Sequence, residues 1–467
     1  MRPLPNILII VLDTVRWDHL SCYGYAKKTT PLIDQLAERG VLFQNAFSAS
    51  CWTPPAHASL FTGMYPSSHG VFMGDSCLDV PHQTFAEILR TGGYHTLGIS
   101  GIPQLTAAKQ FNRGFDEYVE PWKFAQQPWD LPKWKTRMRM SLHLDERNTR
   151  YIYEKVAQWI KNQKKSIPFF IFANFNTAHT PYHPPPRYRK KFLNETGGGL
   201  DEEKLERLMS KDGFLYMAQK MVVTPAEFTT LQSLYDAEIA YLDNTLGQLF
   251  KLLRHRNILD DTVIVLLADH GENFGDHGLM YHQFCLYDSL IQIPMIWHYP
   301  RLIKGAQNVQ SLVSIVDVLP SVLRLIGLST ESYPYLHGHP LFDDDGSDTQ
   351  ALPPFIIAEY YTHPGALGYF KRMAPDFDRS SLDKGLKCIR TDRHKFIIDS
   401  KGHEELYDLA NDSKEQHNIR REASGIASLL RETLFKNTRE FAHDIRAAVL
   451  AKQDEATRKQ LAALGYL

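Results

Sequence analysis

Short, nearly continuous apolar runs alternate along most of the chain with longer stretches in which apolar residues recur every three or four positions. An uninterrupted apolar run predicts a strand covered on both faces, and the wider spacing predicts a helix with one buried face. Strands are therefore expected at 6–12, 95–100, 168–174, 262–268 and 293–298, and helices at 30–39, 83–91, 145–164, 225–254 and 316–326. Their alternation predicts an α/β fold, a mostly parallel central sheet sandwiched by helices. Such sheets gather their chemistry just beyond the carboxyl ends of the strands, so the residues that follow each apolar run are the ones to read for function.

After about residue 345 the texture changes. The segment DDDGSDTQALPP is acidic, polar and Pro-bearing, and reads as a linker. Beyond it, short runs at 355–359, 386–390, 395–399 and 405–407 have hairpin-like spacing, and helices are expected near 414–449 and 454–463. The expected division is a main unit over 1–345 that carries the strand-end chemistry, and a C-terminal unit over 346–467 with a small antiparallel sheet and terminal helices.

Charge narrows the choice of partner. The 467 residues carry 52 Lys and Arg against 53 Asp and Glu, a formal net charge of -1, so binding to nucleic acid or to an anionic membrane through bulk charge is not expected. The first apolar run stops at Asp13, too short for a membrane span and without a signal-peptide cleavage pattern, and no later run reaches the length of a span. A soluble, cytoplasmic protein with no membrane anchor is expected. The five cysteines (Cys22, Cys51, Cys77, Cys285 and Cys388) are odd in number and form no CxxC pair, which points to neither a disulfide framework nor a zinc knuckle.

Four segments carry candidate chemistry. Asp13 ends the first strand, where a carboxylate serves a metal or substrate, or simply caps the following turn. In CWTPPAHASLFTG, Thr53 reads as an N-cap with Pro54 at the first helical position. A hydroxyl there lies in the anion-attracting field of the helix and can attack a phosphate or sulfate ester if a metal lowers its pKa. In LLADHGENFGDHG, Asp269 and His270 leave a strand end together and can reach one metal if the backbone turns sharply at Gly271, with His277 and His282 close behind. A turn of solvated polar residues is the plainer reading. In FNTAHTPYHPPP, His179 and His183 follow a third strand and suit binding of an anionic ester or proton donation to its leaving group, although a lone histidine is more often structural.

Together with NILIIVLDTVRWDHLSCYGY, TPLIDQLAERGVLFQNAFS, ASLFTGMYPSSHGV, YDAEIAYLDNTLGQL, ELYDLANDSKEQHNI and the closing LAALGYL, these segments resemble, in order, the sulfatase family of the alkaline phosphatase superfamily. The resemblance implies that fold and a metal-dependent ester hydrolase. It also exposes departures. Sulfatases carry Cys or Ser in C/S-x-P-x-R, converted to formylglycine, whereas the alignment places Thr53 there, Pro55 at the proline and His57 at the arginine. Cys51 does not restore that spacing. The family's first acidic pair is Asp-Asp and here is Asp13-Thr14.

The resemblance implies one divalent metal held by Asp13, Thr53, Asp269 and His270, with manganese or zinc suiting the donors better than calcium. His57, His179 and His282, the last at the family's lysine position, would stabilise the transferring group or protonate the leaving oxygen, with His183 and His277 as substrate-binding positions. A threonine ester cannot collapse to an aldehyde as a formylglycine sulfate does, so hydrolysis of a small phosphodiester or of a phosphonate or phosphate ester through Thr53 is expected. The competing readings are a sulfatase that uses Thr53 directly and a catalytically silent binding protein. A homo-oligomer is open.

Overall fold

The computed structural model describes residues 3–72, 76–123, 148–164, 166–194, 201–349, 352–362 and 364–439, with 455, 457 and 459. The main-sheet strands are β1 (Asn6–Leu12), β2 (Val41–Phe47), β3 (His95–Ser100), β4 (Glu117–Val119), β5 (Phe169–Phe175) and β6 (Thr262–Leu267). A small hairpin of β7 (Asn273–Phe274) and β8 (Met280–Tyr281) follows, then β9 (Gln292–His298) and β10 (Gln307–Ser314). The eight strands of the main sheet lie in the order β10-β2-β9-β6-β1-β5-β3-β4. The expected α/β architecture is the one observed. The five strands expected from apolar runs are present within one residue at each end.

β9 departs from the parallel arrangement, pairing antiparallel with both β6 and β2. The chain leaves β6 and re-enters the sheet at the same end, through a segment whose last helical turn is Asp288–Ile291, and parallel neighbours would need a crossover back to the other end. β2, β4 and β10 were not expected. β4 and β10 are edges, and the first half of β10 is mostly exposed, while β2 next to it carries the half-buried Gln44 and Asn45, so none reads as a continuous apolar run.

The centre of the sheet fixes the site. β1 lies between β5 and β6 with Leu12 opposite Phe175 and Val11 opposite Leu267, so three strands end level with one another. All of Ile7 to Leu12 is at most 1% exposed, which holds the register because a slip of one residue would have to exchange two buried faces. On the helical side, Pro225–His255 begins with a capping box between Thr224 and Glu227 and buries Leu231, Leu234, Tyr235, Leu242 and Leu246. Among the described residues no helix is long and apolar enough to cross a membrane.

The second sheet is antiparallel in the order β11 (Phe355–Tyr361), β12 (Gly385–Thr391), β13 (His394–Asp399) and β14 (Glu404–Asp408). Alternation divides its side chains: Ile356, Ala358, Tyr360 and Cys388 pack with Phe47, Cys51, Trp52 and Leu290, while Ile357, Ile389 and Phe396 pack beneath the helix Ser424–Asn437 through Leu430 and Leu434. That helix starts ten residues later than expected, because 414–423 is spent on turns and irregular chain. The expected 440–449 and most of 454–463 lie outside the described residues, as do 145–147 at the start of another expected helix, seen as Thr149–Asn162. An isolated bridge joins Asp348 of the expected linker to Phe342 just before it.

A buried ion network joins the sheets. Lys395 is fully buried with Nζ 2.7 Å from both Asp288 and Glu415, and Arg390 Nε donates to Asp288 at 3.2 Å. Removing Lys395 leaves the buried Glu415 carboxylate without its cation and Asp288 with Arg390 alone. Lys395→Ala should therefore lower stability by about 3–5 kcal/mol in urea unfolding, and an unchanged midpoint would show the network to be idle.

Candidate metal and ester site

The site is assembled at the shared ends of β1, β5 and β6. Asp13 continues β1 with its N–H on the Phe175 carbonyl at 3.0 Å, and the backbone then turns at Thr14 with φ 62°. Asp269 and His270 follow β6 by two and three residues, and one oxygen of Asp269, Oδ1, accepts from the Thr14 N–H at 3.1 Å and the His270 N–H at 3.0 Å. Its other oxygen, Oδ2, is buried with no hydrogen-bond partner among the described residues, 3.3 Å from His270 Nε2 and 3.6 Å from His57 Nδ1. The sequence suggested that Gly271 serves by turning sharply. Its φ is ordinary, and what it supplies is clearance, since a Cβ would fall on the Ser289 carbonyl while Gly271 N donates to the Leu290 carbonyl at 2.7 Å.

Thr53 sits one place deeper than expected. The N-cap is Trp52, with φ -156° and ψ 166°, so Thr53 and Pro54 occupy the first two positions of the helix Thr53–Thr62. The Thr53 hydroxyl does not cap its own helix, and its Oγ1 lies 3.2 Å from His270 Nε2, fully buried. One turn on, His57 Nδ1 donates to the Thr53 carbonyl at 2.9 Å and Nε2 faces the Asn174 amide at 3.4 Å. Burial lowers the His57 pKa, so the ring is neutral near pH 7. Cys51 lies in a wholly apolar pocket that pushes its thiol well above the usual range, which leaves it a poor nucleophile.

Asp13, Asp269 and His270 present ligand atoms all within 4.8 Å of one another, and all three residues are buried. Burial pushes the His270 pKa down to about 4, and its Nδ1 donates to the Gly271 carbonyl at 2.9 Å, leaving Nε2 as a lone pair toward Asp269 and Thr53. A neutral imidazole, two carboxylates and a partnerless buried oxygen are the donor chemistry of a divalent cation site, so the residues fit the metal that the sequence implied.

Two more histidines close over this centre. His282 stacks on His270 with ring centroids 4.7 Å apart and meets the edge of His179 at 4.9 Å. His179 Nδ1 bonds the Thr180 carbonyl at 2.7 Å, and His282 Nδ1 lies 3.2 Å from Glu272, whose other oxygen accepts from the Tyr182 hydroxyl at 3.3 Å. Seven of the nine positions read from the sequence thus come together: Asp13, Thr53, His57, His179, Asp269, His270 and His282. The structure does not bring His183 or His277 into the group. His183 bonds Glu238 through its N–H and turns its ring toward Glu206, and His277 stacks on Tyr287 beside the second sheet.

Sequence reasoning missed Asn174 and Glu272, and it left Arg16 open between a supporting and a surface role. Asn174 is a polar residue at the end of an otherwise apolar run, and its Nδ2 donates to Asp13 at 3.3 Å. Arg16 pairs with Asp18 and reaches the Glu272 carbonyl and Asp276, each at 3.0 Å, tying the loop after β1 to the loop after β6. No local pattern marks that bond, which spans more than 250 residues.

The profile of the family described as Sulfatase matches residues 5–328. The chain belongs to the sulfatase family. A second profile, N-sulphoglucosamine sulphohydrolase, C-terminal, matches residues 275–440 of this sulfatase-family chain. It is 24% identical to an uncharacterized sulfatase, YidJ, of Escherichia coli over 89% of this chain and 83% of that protein. It is 25% identical to a choline-sulfatase of Rhizobium meliloti over 97% and 90%. Among solved structures, the phosphonate monoester hydrolase of Agrobacterium radiobacter superposes with a TM-score of 0.73 at 21% identity, covering 96% of this chain and 100% of that one.

The clearance at Gly271 gives the site a direct test. Gly271→Ala should cost about 1–3 kcal/mol in urea unfolding through overpacking against Ser289, and should weaken divalent-metal binding in titration calorimetry because Asp269 and His270 move with it. Wild-type behaviour in both would show that the loop does not depend on this contact.

Proposed function

We propose that this sulfatase-family hydrolase cleaves a monoanionic phosphorus ester, a phosphodiester or phosphonate monoester, with Thr53 as nucleophile. The observation that carries the reading is the buried Thr53 hydroxyl, placed 3.2 Å from His270 at a helix start that it does not cap. Asp13, Asp269, His270 and Thr53 would hold the metal, best manganese or zinc. Bound there, the metal would supply positive charge that favours ionisation of Thr53 and holds one ester oxygen. The Thr53 hydroxyl loses its proton to solvent and its oxygen attacks phosphorus, the bond to the leaving oxygen breaks with its electron pair, and His179 or His282 in its protonated form gives that oxygen a proton. Water then cleaves the threonyl ester, so that ester and water yield acid and alcohol. His57 is neutral, with its one N–H on the Thr53 carbonyl and its Nε2 lone pair toward the Asn174 amide, so it suits positioning of Thr53 rather than donation to the transferring group or charge neutralisation. Two carboxylates against one dication leave little surplus charge, which supports a monoanion over a dianion.

A sulfatase acting through Thr53 is the second reading, supported by the choline-sulfatase among the relatives. A silent scaffold is disfavoured because each proposed ligand and nucleophile position holds a competent group. The C-terminal unit is assigned to 346–467, with its sheet as a brace for the site. A cytoplasmic setting is supported by Cys22, Cys51, Cys77, Cys285 and Cys388, all free thiols.

Metal-stripped protein refilled with manganese, zinc or calcium should turn over aryl phosphodiester or phosphonate faster than aryl sulfate or phosphate monoester. Thr53→Ala should reduce that rate by at least about a thousandfold. Sulfate release alone, or full activity in the variant, would overturn the proposal. Glu272 positions His282, so Glu272→Ala should depress kcat about tenfold or more for an alkyl leaving group while sparing nitrophenyl esters, with partial rescue by Glu272→Asp. Equal losses on both esters would assign Glu272 a structural role only.

A further inference from the structure

We propose that Tyr281 is a positioning residue that sets the spacing of His179 and His282 through the five-residue π-helical turn Leu208–Asp212. The inference rests on the reading of those two histidines as the groups that meet the ester and its leaving oxygen, and it names what holds them together. His179 follows β5 and His282 follows β8, so they arrive on separate segments, yet their rings meet at 4.9 Å. The turn touches both segments. Beside His179, the Thr180 hydroxyl donates to the Met209 carbonyl at 2.8 Å, and the Tyr182 N–H donates to the Met209 sulfur at 3.2 Å. Beside His282, the Tyr281 hydroxyl donates to the Leu208 carbonyl at 2.9 Å and accepts from the Gly213 N–H at 3.2 Å. Consecutive carbonyls of one turn thus hold the residues adjacent to both histidines. The turn itself is buried at Leu208, Met209 and Asp212, and π-helical turns recur where function fixes a geometry.

The backbone around His282 carries the same message. Tyr281 at φ 65° and Phe284 at φ 72° are both in the left-handed region, where bulky side chains are outliers that persist only when their surroundings enforce them. Phe284 is held against Phe370 at 5.8 Å between ring centroids, and Tyr281 by its two hydroxyl bonds and by Phe214 at 5.3 Å. The close approach of Tyr281 to the turn depends on Gly213, where a Cβ would fall 2.5 Å from the Tyr281 oxygen and 2.6 Å from the ring carbon that bears it. Gly213 has an ordinary helical φ of -58°, so it supplies clearance and not an unusual conformation. His282 is therefore presented from a strained backbone with an anchored aromatic on each side, and Glu272 adds a bond to the ring itself. A proton reaches the leaving oxygen only from a donor within hydrogen-bond reach, and it matters most where that oxygen leaves poorly. Loosening the histidines should then slow alkyl esters and spare nitrophenyl esters, whose leaving oxygen departs without a proton.

The test is turnover of an alkyl and a nitrophenyl ester of whichever acid the wild-type full chain releases, phosphorus or sulfur, with manganese affinity measured by titration calorimetry beside it. Tyr281→Phe keeps the ring and removes both hydroxyl bonds. It should lower kcat on the alkyl ester about tenfold or more, and leave the nitrophenyl ester and manganese affinity within about threefold of wild type. Gly213→Ala keeps the hydroxyl and introduces a better helix former, so it should show the same split because its methyl displaces Tyr281 and not because the helix melts. Thr180→Val cuts the other tether. Joined to Tyr281→Phe, it should leave the double variant no more than about threefold below the more impaired single variant, because both bonds serve one spacing. Wild-type rates in Tyr281→Phe, equal losses on the two esters, lost manganese affinity, or losses that multiply in the double variant would overturn the Tyr281 assignment and leave the histidine roles standing. Wild-type rates on the alkyl ester in both His179→Gln and His282→Gln, or no turnover of either acid's esters by the wild type, would overturn the reading of the histidines and the Tyr281 assignment with it.

Discussion

Two carboxylates, Asp13 and Asp269, are buried side by side at the tips of adjacent strands, and much of the surrounding structure compensates for that placement. An ionised carboxylate in the interior is expensive, and a second beside it more so, unless hydrogen-bond donors and positive charge answer both. The protein supplies donors first. Asp269 takes the N–H groups of Thr14 and His270, and Asp13 takes the Asn174 amide. Arg16, in the loop after β1, is spent on Asp18, the Glu272 carbonyl and Asp276.

The sheet makes the pairing possible. β1 lies between β5 and β6 in level register, so residues following three strands by only a few positions converge without long loops. The reach of each group is then set by backbone detail: the left-handed turn at Thr14, the clearance at Gly271 and the one-residue shift that frees Thr53 from capping its helix. A displacement of any of these by an ångström would separate ligand atoms that now lie within 4.8 Å.

This division explains what was legible in the sequence. Strands buried on both faces announce themselves as apolar runs, and the polar residues that end them follow at once, so Asp13, His179, Asp269 and His270 could be read directly. Edge strands share their residues with solvent, which hid β4 and β10. Side-chain partners distant in sequence leave no local trace, so the support of the Thr14 turn by Tyr235, 221 residues away, had to be seen in three dimensions. His277 shows the reverse error. It follows Asp269 even more closely than His282 does, yet the turn at Gly275 and the left-handed His277 itself carry its ring onto Tyr287 instead.

That outward turn also reveals what the second sheet contributes. The segment from Asp269 to Ile291 carries Asp269, His270, Glu272 and His282, and it has no crossover helix to hold it. It is pinned instead within itself, by Gly271 on Leu290 and Ser289 on Asn273, and from the second sheet, by Lys395 and Arg390 on Asp288 and by the Asp288 N–H on Glu415. His277 on Tyr287, with the Tyr287 hydroxyl on Glu405, adds a further tie to β14. Asp269 and His270 are therefore positioned from two directions, by the main sheet they leave and by the small sheet that ties down the rest of their loop. A buried ion network is a poor source of net stability, but it tolerates few alternative arrangements, and fixing one arrangement is what a loop bearing four such side chains requires.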